Sequence, residues 1–152
     1  MRSFQLIFAA VLMCLAGETA SAQTADRTID EIKTETLARA QTGAYPVLGI
    51  QPADASDALG RIKSRDADEW AAAWSTVADT YMAKAKAAAD PKEADANFVR
   101  AWRLYYFGQW PSPTSAGKQA AYQKAVDAYL QHARYFDPPL EVVRIPDRKS
   151  VV

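Results

Sequence analysis

One stretch near the end of the chain limits the possible folds most strongly. Pro138 and Pro139 cannot continue a helix, and Pro138 disfavours helical backbone at Asp137. The run 140–145 that follows is rich in β-branched residues and too short for a helix, so it predicts a β-strand. Before the prolines, apolar residues recur every three or four positions, which predicts a long amphipathic helix with one stripe: Tyr122, Val126, Tyr129, Ala133 and Phe136.

The predicted strand has no evident partner in the sequence. A strand needs neighbours to satisfy its backbone N–H and C=O groups, and only residues 146–152 follow it. We therefore expect an orphan strand where a second domain should begin. An unpaired apolar edge also favours association between copies, so a homo-oligomer is one expected consequence.

Three further helices are predicted upstream, over 23–41, 66–89 and 91–107. The first has Asp26 or Thr28 as its cap. The third is framed by Asp90 as N-cap, Pro91 at the first helical position and a capping box with Glu93. The second places its apolar residues on one face: Trp70, Trp74, Val77, Tyr81 and Ala85.

Glycine and proline define the connections between these helices. The punctuation between residues 42 and 57 predicts a loop with buried apolar anchors, and Gly108 is expected as the C′ residue of the third helix. The final helix is expected to start at Thr114 or Ser115. The fold class is therefore all-α, a small antiparallel helical bundle with one orphan β-strand at its C-terminal end.

The first 22 residues have the features of a signal peptide. Arg2 precedes an apolar run over 4–16, and Ala-Ser-Ala at 20–22 provides a cleavage pattern, with Gln23 as the mature N-terminus. An uncleaved anchor is the alternative. Cys14, the only cysteine, leaves with the signal, so the mature chain has no disulfide. We expect an exported protein, periplasmic or secreted, divided into 1–22 signal peptide, 23–57 helix and loop, 58–137 helical bundle and 138–152 start of a further domain.

The balance of charge argues against a nucleic-acid partner. The chain has 18 basic and 18 acidic residues, whereas a nucleic-acid surface needs clustered positive charge. Arg100 and Arg103 are interleaved with aromatic residues, but two arginines on one amphipathic helix are typical of surface or salt-bridge residues.

The sequence supplies no catalytic machinery that we recognise. There is no nucleophile elbow, phosphate-binding glycine loop or dinucleotide fingerprint, and His132 is the only histidine, so no metal site or cofactor is predicted. His132 is interpreted as structural or surface, because neither a nucleophile nor an orienting acid is evident beside it. Asp66, Asp68 and Glu69 are interpreted as favouring a helix start, with a metal site as the remote alternative.

A dense aromatic group is the best candidate for a ligand-contacting surface. Aromatic residues at helical spacing are typical of a core, but two of these lie off the main stripe. Tyr106 and Trp110 are therefore predicted to face a substrate. The whole group comprises Trp102, Tyr105, Tyr106, Phe107 and Trp110.

Residues 70–146 resemble the N-terminal helical region of a group of serine α/β-hydrolases. These are the esterases related to the fermentation-respiration-switch protein and to 2,6-dihydroxypseudooxynicotine hydrolase. The resemblance lies in an Ala-rich helix with W-x3-W, in F-V-R-A-W-R-L-Y-Y-F-G-Q-W-P, and in a D-P-P-x-E-x-V-x-I-P junction. The junction is matched by Asp137, Pro138, Pro139, Glu141, Val143, Ile145 and Pro146.

The resemblance implies a helical cap that covers the active site of a hydrolase domain. That domain, which would be the partner in cis, would cleave ester, amide or C–C bonds in a small-molecule or acyl substrate. Its nucleophile, acid and histidine match no position in this chain, so the chain alone is expected to be inactive. The alternatives are a tetratricopeptide-like peptide- or protein-binding module and an inactive remnant.

Overall fold

The computed structural model describes residues 27–143, and this part of the chain is all-helical. It contains five α-helices and a 3-10 turn: α1 (Ile29–Thr42), α2 (Pro52–Arg61), α3 (Ala67–Ala87), α4 (Pro91–Gly108), α5 (Ala116–His132) and the turn Ala133–Tyr135. No strand occurs within the described residues, and the predicted all-α class is confirmed for them. None of these helices is both long and apolar enough to cross a membrane.

Side-chain caps explain where four of the helices begin. Thr28 forms a capping box with Glu31 at the start of α1, so Thr28 is the cap and Asp26 lies outside the described residues. Asp90 accepts a hydrogen bond from the Lys92 amide, as an N-cap should, but the predicted capping box with Glu93 is not formed. The caps of α3 and α5 are Asp66 and Ser115.

Helix α2 corrects the prediction of a loop over residues 42–57. Pro52 occupies the first turn of α2, where its missing N–H has no partner to lose, so it starts a helix there and does not prevent one. The helix also crosses the boundary predicted between residues 57 and 58. The remaining loop, 43–51, has two of the expected buried anchors, Val47 and Ile50, whereas Tyr45 and Leu48 are exposed.

The core lies where α3, α4 and α5 pack together. Trp74 is fully buried and its ring meets that of Phe107 edge-on, with centroids 4.7 Å apart. The predicted face of α3 is confirmed, because all its members are buried except Trp70, which is half-buried. The other two helices join less directly, since α1 packs on α2 and α2 on α3.

Small residues allow α4 and α5 to approach closely. Gly108 is the last residue of α4 and has no left-handed backbone, so the predicted C′ role is wrong. A Cβ at Gly108 would lie 3.3 Å from the Trp74 Cβ, so lack of space, and not a turn, explains the glycine. On α5 the buried face is Ala121, Ala125 and Ala128, displaced from the predicted stripe, in which Tyr122 is exposed.

The segment after the 3-10 turn is largely exposed and has no regular secondary structure. Helical structure ends before Asp137, as predicted. Leu140, Val142 and Val143 are 45%, 64% and 68% exposed, and residues 140–143 form no strand. The rest of the predicted strand, Arg144 and Ile145, lies outside the described residues, as do the predicted signal peptide and residues 146–152.

Candidate functional site

A cleft of about 440 Å³ lies on one side of the helices. One wall comes from α1 and the loop 43–51. The other comes from the start of α3, the end of α4 and the connection from α4 to α5. Its volume falls within the range of small-molecule sites in proteins, so this cleft is the candidate functional site.

Aromatic rings line both walls of the cleft. Tyr45 and Trp110 meet edge-to-face across the two loops, with ring centroids 5.2 Å apart. Deeper in, Trp70 packs against Phe107 at 5.6 Å, and the Trp70 indole N–H donates to the Phe107 carbonyl at 3.4 Å. These four residues supply aromatic surface to the lining of the cleft.

The α1 wall carries a network of charged groups. Glu35 accepts hydrogen bonds from Arg39, with Nε to Oε1 at 2.9 Å, and from Arg27. These bonds hold the pKa of the Glu35 carboxyl below its ordinary value. Arg39 also donates from Nη1 to the Tyr45 carbonyl at 2.7 Å, so it ties the aromatic loop to α1.

Lys118 is the buried cation of the cleft. It lies in the first turn of α5 and is only 9% exposed, and its Nζ donates to the Trp110 carbonyl at 2.8 Å. Within the part of the chain that the structure describes, no carboxylate pairs with it. Burial lowers the pKa of the Lys118 ammonium, and its position at the positive end of a helix is also unfavourable for a cation.

A hydrogen bond from α4 holds the loop 43–51 in place. Arg103 donates from Nη1 to the Gly49 carbonyl at 3.1 Å. Gly49 has a φ of +77°, which favours glycine, and a Cβ there would lie 1.9 Å from the Arg103 Nη1 and would displace the guanidinium from the Gly49 carbonyl. Arg103 is therefore a loop anchor, whereas Arg100 lies over the Tyr81 ring at 5.1 Å.

The two residues predicted to face a substrate lie in different places. Trp110 lines the cleft. Tyr106 is 44% exposed and lies outside the cleft. Sequence reasoning missed the two partners of Trp110. Tyr45 lies on a loop far away in the chain, and Lys118, although only eight residues away, lies on the next helix, whose orientation local patterns do not give. A lysine in the first turn of a helix, against the helix dipole, was the available signal for Lys118.

His132 has a partner that the sequence analysis did not identify. Its Nδ1 forms a hydrogen bond with Asp95 of α4, and its ring stacks edge-on against Phe136 with centroids 4.8 Å apart. The expectation that no acid orients this histidine is therefore wrong. The contact with Asp95 joins the end of α5, where the 3-10 turn begins, to α4. No Ser, Thr or Lys side chain hydrogen-bonds to His132 in residues 27–143.

The acidic residues around the start of α3 bond to backbone groups. Asp66 caps the helix through the amides of Asp68 and Glu69. The Ser115 side chain and the Gly117 amide, which donates to the Asp68 Oδ1 at 2.8 Å, lower the pKa of the Asp68 carboxyl. Among residues 27–143 no group of three or more His, Cys, Asp and Glu is placed to hold a metal ion.

The geometry of the cleft suits binding more than covalent chemistry. Its side chains provide aromatic surface, paired charges and one buried ammonium, and each hydrogen bond described above serves to hold a wall in place. Comparison of the chain with protein-family models, with curated proteins and with solved structures finds no match.

Proposed function

We propose that the helices form the N-terminal cap of an exported serine α/β-hydrolase, an antiparallel bundle that covers an active site supplied by a hydrolase domain in cis. The observation that carries the proposal is the exposure of Leu140, Val142 and Val143, which directly follow the Asp137-Pro138-Pro139 junction. These three apolar side chains lie within four consecutive residues, separated only by Glu141, and a short run rich in apolar and β-branched residues is typical of a strand that is buried in a sheet.

The energetics of this segment support the same proposal. Each of these side chains would contribute roughly 1.5–3 kcal/mol on full burial, which is large beside the total stability of a small domain. At exposures of 45%, 64% and 68%, the three side chains realise only part of this energy. A sheet that accepts residues 140–145 as a strand would bury them and satisfy their backbone groups.

In this proposal the cap acts by excluding water and selecting substrates. Tyr106 and Trp110 are the residues proposed to face a small-molecule or acyl substrate. None of the hydrolase family's catalytic residues, its nucleophile, acid and histidine, matches a position of this chain, so in this proposal the chain is inactive without the hydrolase domain. Its localisation would be periplasmic or secreted, after removal of residues 1–22.

The test combines the downstream gene sequence with an activity assay. We expect an open frame beyond codon 152 that encodes G-x-S-x-G, and a protein spanning both parts that hydrolyses p-nitrophenyl acyl esters. The mature chain that ends at Val152 should not turn these esters over. Absence of a hydrolase frame downstream, or turnover by the mature chain alone, would refute the proposal.

A stand-alone binding module is the second candidate function. The aromatic cleft favours it, because a site of about 440 Å³ is formed by the described residues themselves. Tetratricopeptide-like modules bind extended peptides along a helical groove. Binding of peptides by the mature chain, together with a stop codon and no hydrolase sequence downstream, would favour this function over the cap.

A further inference from the structure

We propose that the cleft binds a small monocarboxylate with an aromatic or similarly flat apolar body, with the Lys118 ammonium as its counter-ion and the rings of Tyr45, Trp70 and Trp110 around its body. This inference goes beyond the cap function. It depends only on side chains of the described helices and loops.

The first argument is the charge of the lining. Four basic residues and two acidic residues border the cleft, which favours an anion over a cation. Both carboxylates and the three arginines of the lining already have partners, so the preference for an anion depends on Lys118. Glu35 is held by Arg27 and Arg39, and Asp66 caps α3.

The second argument is the state of Lys118. Its ammonium is buried and has a carbonyl as its hydrogen-bond partner, whereas a buried cation is stabilised most by an opposite charge. An ammonium has three donors, and the Trp110 carbonyl uses one of them. Two donors therefore remain for the oxygens of a carboxylate. Burial also lowers the pKa of this group, and a bound anion would raise it again.

The third argument is the position of the aromatic rings relative to this charge. Trp110 provides both the carbonyl that holds the Lys118 Nζ and the ring that meets Tyr45. The charged end and the apolar wall of the cleft are therefore adjacent, as they must be for a ligand with a carboxylate on a short apolar body. A neutral apolar ligand would leave the ammonium without an opposite charge.

The experiment measures the affinity of the mature chain for three probes of equal shape. These are 4-phenylbutanoate, 4-phenylbutan-1-ol and 4-phenylbutylamine, titrated by calorimetry at low ionic strength. We expect the carboxylate to bind at least about tenfold more tightly than the alcohol, and the amine to bind most weakly. Equal affinity for acid and alcohol, or no binding of the acid at millimolar concentration, would overturn the proposal.

Variants assign the binding to Lys118. Lys118→Met should reduce affinity for the acid about tenfold and leave affinity for the alcohol unchanged, whereas Lys118→Arg should retain most of the affinity for the acid. Lys92→Met is the matched control, because Lys92 is exposed on α4 and lies outside the cleft. Loss of acid affinity in the control, or none in Lys118→Met, would contradict the assignment.

A second substitution guards against a folding defect in the Lys118 variants. Tyr45 is 66% exposed, so Tyr45→Ala should preserve the fold. It should weaken binding of the acid and the alcohol by the same factor, since it removes ring contact and leaves the charge. Unchanged binding of both probes in Tyr45→Ala would place their site elsewhere.

Discussion

Replacing Gly117 with alanine tests the contact between the starts of α3 and α5. Alanine is the better helix former, and Gly→Ala at an open helical position stabilises by up to about 1 kcal/mol. At Gly117, however, a Cβ would lie 2.7 Å from the Asp68 Oδ1 and 3.1 Å from both the Cα and the Cβ of Asp68. The carboxylate must then move away from the Gly117 amide, and the start of α3 must shift by a few tenths of an ångström relative to α5.

The expected magnitude follows from two opposing contributions. Overpacking of this kind costs about 1–3 kcal/mol, which outweighs the gain in helix propensity. We expect Gly117→Ala to lower the free energy of unfolding by roughly 1–2 kcal/mol, or about 4–8 °C in Tm for a domain of this size. It also strains the Gly117 N–H to Asp68 Oδ1 bond, whose length is 2.8 Å.

Gly60 provides the matched control for this experiment. It lies in α2, and an alanine Cβ there would meet no described atom of another residue within 4 Å. Gly60→Ala should therefore raise the Tm of the protein, while Gly117→Ala lowers it, as measured by far-UV circular dichroism during heating. A Gly117→Ala variant as stable as the wild type would show that α3 and α5 do not touch at this point.

Two further substitutions test the core and the pH dependence. Trp74→Ala should lower the free energy of unfolding, measured with denaturant, by about 3–5 kcal/mol. Trp74→Phe should lower it much less. The Trp74 Nε1 has no hydrogen-bond partner among residues 27–143, and removing an unpaired buried N–H recovers about 1–3 kcal/mol. Equal losses for the two variants would contradict this explanation. Ser115 and Gly117 lower the folded-state pKa of Asp68. The ionised carboxylate therefore stabilises the fold above the unfolded pKa of about 3.9, and this stabilisation is lost as the pH falls through the lower folded-state pKa. The advantage in Tm of the wild type over Asp68→Asn should therefore be present at neutral pH and vanish at strongly acidic pH, and a difference that does not change with pH would exclude this role of the charge.

The helices that the sequence predicts well combine a side-chain cap with an apolar stripe. Helix α3 is the clearest case, because Asp66 caps it and its periodic face is buried as the spacing indicates. Helix α2 was missed because Pro52 was interpreted as a breaker, although proline is favourable in a first turn. On α5 the large apolar residues suggested the wrong face. Close packing against α4 selects Ala121, Ala125 and Ala128, and small side chains give only a weak periodic signal.

The cleft could not be predicted from local patterns. Its walls bring Tyr45 to Trp110 and Lys118 to the Trp110 carbonyl, and neither contact follows from helical spacing. Trp110 and Tyr106 are both predicted because they lie off the main apolar stripe, but only Trp110 lines the cleft, whereas Tyr106 lies outside it. Gly49 and Arg103 show the same limit, since the need for glycine becomes apparent only when the arginine beneath it is placed.

Because α1 is attached chiefly through α2, the shape of the cleft depends less directly on the stability of the core. Helix α1 forms one wall of the cleft but packs chiefly on α2, while the buried rings of Trp74 and Phe107 belong to α3 and α4. Regions with fewer buried contacts open at a lower free energy than the core, so we expect α1 to open more readily than α3, α4 and α5. Substitutions on α1 should therefore change the ligand selectivity of the proposed site while lowering the stability of the three central helices only slightly. Selectivity can then change between related proteins without loss of the fold.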